Sequence, residues 1–338
     1  ELEGISRGAG RVARGWGLAY TFGMKVITDW RAFPAELRGG VLCVGNFDGV
    51  HAGHRRMLEA GKAEAVRRGV SFTIMTFDPH PGVVLRPEGK RLPLTTQGQR
   101  EELLAGMGAE VLIVVPTTRE FLGVTAEEFL SGVVRDGLGA RVMVEGPTFT
   151  FGRGAKGTVG MLQERGAEFG VEAVIVPTEQ VGLSDLTLVG VSSSLIRWLV
   201  ENGRVVDAGK CLGRAYALRG EVVHGAERGR TIGYPTANVA TGQLLPGAGV
   251  YAGRARVDDT TYLAAISVGT NPTFHGVLTT VEAYLLDFDG DLYGKVMEVE
   301  FVRWVREMLT FGGVEPLIKQ IAADVAVTRD VMLRKESA

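Results

Sequence analysis

The hydrophobic rhythm of this chain changes once, near Gly203, and that change constrains its fold more than any other feature. Before it, short β-rich runs at 41–44, 71–77, 111–115, 141–144 and 171–176 are separated by stretches of helical spacing, at 55–68, near 99–107 and around 126–134. Strands that alternate with helices predict a parallel sheet with crossover connections. After it, runs at 216–224, 232–239, 250–257, 261–268, 280–287 and 296–303 follow one another across short turns. That pattern predicts a small six-stranded antiparallel β-barrel, closed by a helix near 313–333. The expected division is an α/β domain over 24–205 and a barrel domain over 206–338, and 338 residues suit two domains. Residues 1–23 stand apart. Six glycines there are interspersed with Arg7, Arg11 and Arg14, with no apolar core of a signal peptide. Met24 reads as a start into a first strand, so 1–23 is expected to be a disordered extension or an artefact.

The first strand leads into the densest motif, Gly45-Asn46-Phe47-Asp48-Gly49-Val50-His51-Ala52-Gly53-His54. An apolar strand, a glycine-rich turn and a helix start together make a phosphate site, because unpaired backbone N–H groups and the helix dipole converge there. The chain has five histidines and two of them fall in this turn, three residues apart, where one helical face can carry both. Two surface histidines or a metal pair is the plainer alternative. No cysteine or third nearby histidine completes a zinc set, and Cys43 lies inside the strand.

Ligands in parallel sheets bind beyond the carboxyl ends of the strands, and the other unusual clusters fall there. Phe77-Asp78-Pro79-His80-Pro81 follows the second run; as a rigid turn it needs no further role. Glu145-Gly-Pro-Thr148-Phe149 follows the fourth. Ser192-Ser193-Ser194 follows the fifth and is expected to cap the next helix. With Arg197 one turn on, the same hydroxyls and amides also make a second phosphate cradle. Gly152 to Thr158 has a superficial P-loop look, but its spacing is wrong. In the second half, Gly225 to Asn238 joins a glycine- and arginine-rich loop to Pro235-Thr236-Ala237-Asn238, and Gly269 to Phe274 precedes Glu282. Alone, either reads as an ordinary hairpin or turn.

Composition excludes some partners. A net charge of −2 gives nucleic acid no general attraction, and no apolar run is long enough to span a membrane. Only Cys43 and Cys211 are present, which fits a reducing cytoplasm rather than a disulfide framework. Oligomeric state is left open.

The motif 45–54 resembles the HxGH signature of the nucleotidyltransferase superfamily, with its Rossmann-like sheet. Together with Leu212-Gly-Arg214, Arg228-Gly-Arg-Thr-Ile-Gly-Tyr-Pro-Thr-Ala-Asn238, Gly249-Val-Tyr251, Ser267 to Phe274, Glu282 and Asp291-Leu-Tyr293, it resembles the bacterial bifunctional riboflavin kinase/FAD synthetase family over roughly 24–334. The resemblance implies an FMN adenylyltransferase module followed by a riboflavin kinase barrel, with riboflavin, FMN and ATP as substrates. It implies that His51 and His54 stabilise the ATP α-phosphate, with Gly45, Asn46, Phe47, Asp48 and Gly53 around it. Ser192 to Ser194 and Arg197 hold the triphosphate, and Phe77 to Pro81 with Thr148 and Phe149 line the flavin or nucleotide pocket. In the barrel it implies Mg²⁺ on Thr236 and Asn238, Glu282 as general base, a loop Gly225, Arg228, Gly229 and Arg230 over ATP, and Arg306 and Phe311 covering the flavin. The sequence departs from the family at Thr148, where an acidic residue or Asn is usual, and at Ser194, where Thr is usual. The first departure bears on FAD synthesis. A kinase whose first domain only binds nucleotide, or a flavin-binding regulatory protein without activity, are the alternatives.

Overall fold

The computed structural model describes residues 23–89, 91–225, 228–273 and 276–336; of the expected extension, 1–22 lie outside the described residues, as does Phe274. Six strands form the first sheet: β1 (Lys25–Ile27), β2 (Val41–Val44), β3 (Phe72–Asp78), β4 (Val111–Pro116), β5 (Val142–Glu145) and β6 (Glu172–Ile175). Their order is β1-β4-β3-β2-β5-β6, and every neighbouring pair is parallel. The central strands are buried on both faces, which is why they read as continuous apolar runs rather than alternating ones. Helix α1 (Ala52–Arg68) lays Met57, Leu58 and Ala65 on one face, against Cys43, Ile74 and Leu112. It sits close: a Cβ on Gly61 would lie 2.7 Å from the Phe72 ring and 2.8 Å from Cys43 Sγ. The opposite face is covered by α2 (Ala126–Glu128) and the π-helical segment Phe129–Leu138, which bring Phe129, Leu130 and Val134 onto Leu42, Val44 and Met143.

Between the sheet and the serine cluster the chain forms a two-stranded antiparallel ribbon, β7 (Gln180–Gly182) and β8 (Leu188–Gly190). The serines therefore follow this ribbon rather than the fifth run directly. Three-residue strands flanking Asp185 and Leu186 are too short for a period-two pattern to register. Helices α3 (Ser193–Glu201) and α4 (Val205–Leu212) then lead to the barrel.

The barrel strands are β9 (Tyr216–Val223), β10 (Ala237–Ala240), β11 (Gly249–Val257), β12 (Thr260–Thr273), β13 (Gly276–Leu285) and β14 (Val296–Arg306). They close antiparallel in the order β9-β10-β13-β12-β11-β14. Alternate residues point inward, so Leu218, Val239, Tyr251, Ile266, Ala283, Val299 and Phe301 fill the interior. The run expected at 232–239 begins later. Gly233 takes φ +84° and Pro235 has no amide to give a ladder, so the strand starts at Ala237 and Arg228–Thr231 forms a short helix instead. A last helix, Val314–Glu336, closes the chain.

The two halves share contacts. Ile196, Leu199, Val205, Ala208 and Leu212 of α3 and α4 join the barrel's own apolar cluster, so the expected 205/206 division falls inside one packed unit. Gln99 donates to Glu298 at 2.9 Å, and Arg219 of β9 bridges Glu298 to Glu102. The Gln243 amide donates to the Leu94 carbonyl at 3.0 Å.

Candidate functional site

The turn after β2 is built from unusual backbone. Phe47 and Val50 take φ +47° and +38°, and Gly49 takes +86°, so the chain doubles back and presents the start of α1. His51 is the N-cap: its Nδ1 accepts from the His54 amide at 3.2 Å, which places its proton on Nε2. The His51 and His54 rings stack with centroids 3.6 Å apart and planes 15° from parallel, and Phe47 packs edge-on against His54. Burial, then the positive charges of Arg214 and Arg55, lower the His51 pKa to about 4. Burial and then His51 hold His54 well below its ordinary value. Both imidazoles are therefore neutral hydrogen-bonding groups at pH 7 until an anion arrives to favour the charged form. His54 Nδ1 and Asn46 Oδ1 are buried with no protein partner. Buried polar atoms without a partner are uncommon in folded proteins, and here one lies in the turn and one at the start of α1.

These residues line a cavity of about 620 Å³ over the carboxyl edge of the sheet. Gly45, Asn46, Phe47, His51, Gly53 and His54 form one wall; Ser192 and Ser193 form another. Phe77, Pro81, Thr148 and Phe149 are also in the lining. The remaining predicted residues surround it in other ways. Asp48 accepts from Arg197 and from the amides of Leu94 (2.9 Å) and Thr95 (3.3 Å), so Asp48 and Arg197 are held by each other and neither lines the cavity. Ser192 caps α3, accepting from the Leu195 amide at 3.2 Å, and Ser193 Oγ donates to the Asp48 carbonyl at 2.9 Å. Ser194 does not reach the cavity lining. Asp78 pairs with Arg100 at 3.1 Å, and His80 caps the short helix Pro81–Leu85 through the Gly82 amide at 2.9 Å; with Pro79 they stand behind the wall. The segment 152–158 is not a phosphate loop: Thr150–Phe151 and Gly157–Thr158 pair as a small hairpin, and Thr158 caps the helix Val159–Arg165.

The second site lies on the outer face of the barrel. Ala237, Val239, Val281 and Ala283 point inward, so Thr236, Asn238, Glu282 and Tyr284 share the outside. Asn238 and Glu282 are directly opposed across β10 and β13, and the Thr236 hydroxyl donates to Glu282 Oε2 at 3.2 Å. The glycine-rich loop comes down on this face: a Cβ on Gly225 would lie 2.2 Å from Asn238 Nδ2, and one on Gly229 would lie 2.2 Å from the Tyr234 carbonyl. Arg228, Gly229 and Arg230 sit in the short helix Arg228–Thr231. Arg306, at the end of β14, is held by a two-pronged pair with Asp324 of the last helix (2.9 and 2.7 Å) and lies over the Phe311 ring at 5.9 Å. Its guanidinium therefore ties that helix to the barrel and carries Phe311 on its other side. Among the described residues no three His, Cys, Asp or Glu side chains gather to hold a metal.

Several site residues escape the sequence patterns. Phe121, Leu122 and Phe129 line the cavity; Phe129 stands in a stretch that reads as helix core, and Phe121 and Leu122 fall outside every expected element. Arg214 donates to the Gly49 carbonyl at 2.7 Å and the Val50 carbonyl at 3.3 Å, reaching the phosphate turn from the segment before the barrel. Glu145, a lone carboxylate ending a buried apolar strand, is the one whose signal was visible.

Sheet, turn and barrel together define the class: an α/β nucleotidyltransferase module followed by a six-stranded antiparallel barrel. A family model described as FAD synthetase matches residues 33–187, and one described as riboflavin kinase matches 212–332. The bifunctional riboflavin kinase/FMN adenylyltransferase of Listeria monocytogenes is 35% identical over 300 residues, covering 88% of this chain and 93% of its own. That of Escherichia coli (strain K12) is 33% identical over 298 residues, covering 88% and 94%. A solved structure described as a macrolide-efflux protein from Streptococcus pneumoniae matches with a TM-score of 0.81 at 33% identity, covering 91% of this chain and 99% of its own. The chain belongs to the bifunctional riboflavin kinase/FMN adenylyltransferase family. Among its described residues no helix is long and apolar enough to cross a membrane.

Proposed function

We propose that the barrel phosphorylates riboflavin to FMN with ATP and that the α/β domain then adenylylates FMN to FAD with release of pyrophosphate. The observation that carries this reading is the separation of two phosphate-handling groups: the stacked imidazoles over the cavity, and the Thr236–Glu282 contact on the barrel face. Both family domains are present, which favours two activities over a kinase with a silent first domain.

On the barrel, Glu282 takes the proton from the ribityl 5′-hydroxyl as that oxygen attacks the γ-phosphorus and ADP leaves. The Thr236 hydroxyl and the Asn238 amide oxygen are hard neutral donors beside a carboxylate, under a loop that approaches Asn238 so closely that only glycine fits at 225. That set fits Mg²⁺, which keeps waters and takes further ligands from the nucleotide. When bound, the ion neutralises charge on the β- and γ-phosphates. Thr236 and Asn238 would hold it, Gly225, Arg228, Gly229 and Arg230 would cover the nucleotide, and Arg306 positions Phe311 toward the flavin.

In the cavity, a phosphate oxygen of FMN attacks the α-phosphorus of ATP and the bond to pyrophosphate breaks. His51 and His54, neutral at rest, donate hydrogen bonds to the phosphate and gain proton affinity as negative charge develops. Ser192 and Ser193, at the start of α3, serve the triphosphate; Asp48 and Arg197 hold that start against the turn. Phe77, Pro81, Thr148 and Phe149 serve the flavin. We place the enzyme in the cytoplasm, consistent with Cys43 and Cys211 both being free and buried.

Incubation with riboflavin, ATP and Mg²⁺, with the flavins resolved by chromatography, tests the reading. FMN and FAD together are expected; FMN alone removes the second step, and neither product removes both.

A further inference from the structure

Of the two carboxyls that line the cavity, Glu179 pairs with Arg56 at 2.7 Å, and Glu145 is left without work by the reactions above. It ends β5 at the carboxyl edge of the sheet and is 1% exposed. Its Oε1 accepts from the Val44 amide at 2.8 Å, and no described hydrogen bond or ion pair meets Oε2. Beyond it lies the cavity, whose lining includes Glu145. Strand alternation puts Glu145 on the face of Met143, the face that packs with Phe77, Phe129 and Phe149, and opposite Val144, which packs with Phe47 and Met57 beside the imidazoles. The aromatic half of the cavity is where a flat, apolar ring system fits, with Phe77 and Phe121 tilted together at 5.8 Å.

Resting on the reading of this cavity as the FMN site, we propose that Glu145 is a specificity-determining contact for the flavin, its Oε2 donating a hydrogen bond to a carbonyl of the isoalloxazine ring. Burial lifts this carboxyl well above the usual carboxylate range, which favours the neutral acid with a proton to give. An ionised carboxylate at the same place would repel a flavin carbonyl. A neutral acid left without an acceptor would be a costly buried group, and the carbonyl supplies one.

Glutamine reproduces the arrangement: its carbonyl accepts from Val44 and its NH₂ donates toward the flavin. Methionine keeps the volume and removes the donor. KM for FMN and for ATP is measured in the adenylyl-transfer reaction for wild type, Glu145→Gln and Glu145→Met, with riboflavin phosphorylation in the same protein as the control for folding. Glu145→Gln is expected to keep both values within about twofold, and Glu145→Met to raise KM for FMN by about tenfold or more with ATP unchanged. FMN analogues with a ring carbonyl replaced by thiocarbonyl, a poor acceptor, are expected to penalise wild type and not Glu145→Met. A tenfold rise in Glu145→Gln overturns the proposal even if Glu145→Met does not fold. So does a rise in KM for ATP alone, which assigns the carboxyl to the adenine, or no change in Glu145→Met, which leaves it joining β5 to β2. Failure of the underlying reading is a different result: wild type then makes no FAD from FMN.

Discussion

Arg214 belongs by sequence to the barrel and by contact to the other active site. Its guanidinium gives one strong hydrogen bond, 2.7 Å to the Gly49 carbonyl, and one long one, 3.3 Å to the Val50 carbonyl. Those carbonyls sit in the buried turn whose positive-φ residues aim His51 and His54. A hydrogen bond from a charged donor is worth about 1.5–3 kcal/mol, and a buried acceptor that loses its donor costs about 1–3 kcal/mol. Counting only the shorter contact, Arg214→Met withdraws roughly 2 kcal/mol from the turn's ordered state, which converts to about thirtyfold. The expected result is a fall of about ten- to thirtyfold in kcat/KM for FAD formation from supplied FMN, while FMN formation from riboflavin stays within about twofold. Arg214→Lys keeps the charge but not the fork and should fall between.

A second readout separates this role from simple loss of stability. After burial, the charge on Arg214 is the largest influence that lowers the His51 pKa to about 4. Removing the cation should raise that pKa in an NMR titration of the His51 ring, and Arg214→Lys should restore most of the depression. If both activities fall in parallel, the arginine supports the whole fold rather than the turn. If adenylylation is untouched, the turn is held by other contacts, among them the Ser193 hydroxyl donating to the Asp48 carbonyl and the Gly49 amide donating to Thr95 Oγ1.

Three further outcomes follow from the same geometry. His51 is neutral in the fold with a pKa near 4, whereas in the unfolded chain it titrates at its ordinary value of 6.5; the unfolded state therefore binds more protons between these values, and stability is present above pH 6.5 and lost as pH falls toward 4, by roughly 3 kcal/mol from this group. Denaturant unfolding at pH 7 and 4.5 should show a smaller loss in His51→Gln, and an identical loss would deny His51 that share. Glu282→Gln should cut FMN formation by about 10²-fold or more yet leave FAD formation from supplied FMN intact; unchanged kinase turnover would take the base's role from Glu282. Asp48→Asn leaves the largely buried Arg197 guanidinium without its counter-charge, and a loss of about 3 kcal/mol in unfolding free energy is expected, where a change under about 0.5 kcal/mol would mean the pair is solvated after all.

The parts of this molecule that were legible in its sequence are those whose physics is local. His51 and His54 are three residues apart and meet on one helix start, so spacing alone brings their rings together. The barrel's outer cluster is different: Thr236, Asn238 and Glu282 came from the family resemblance, and the structure sets Asn238 opposite Glu282 across β10 and β13. The ribbon β7–β8 was hidden because its three-residue strands are too short to show a period, and the late start of β10 because Gly233 and Pro235 end the run without altering the apolar count around it. Arg197 shows the limit within a motif. A basic residue one turn into a helix suggests a phosphate, but Asp48, 149 positions earlier, takes the guanidinium first.

Arg214 marks the deeper limit, because its acceptors are backbone carbonyls 164 and 165 residues away, and a carbonyl has no letter in the sequence. Glu145 is the converse: its letter is conspicuous, a carboxylate at the end of an apolar run, but its meaning depends on burial that only the packed sheet supplies. A charge pattern would count it as an acid. The fold turns it into a neutral donor at the floor of an aromatic cavity, and there its chemistry is closer to that of an amide than of a carboxylate. The consequence is directional: at this position glutamine should be the mild substitution and aspartate the severe one, because the shorter side chain cannot keep the Val44 amide and still reach the cavity that Glu145 lines.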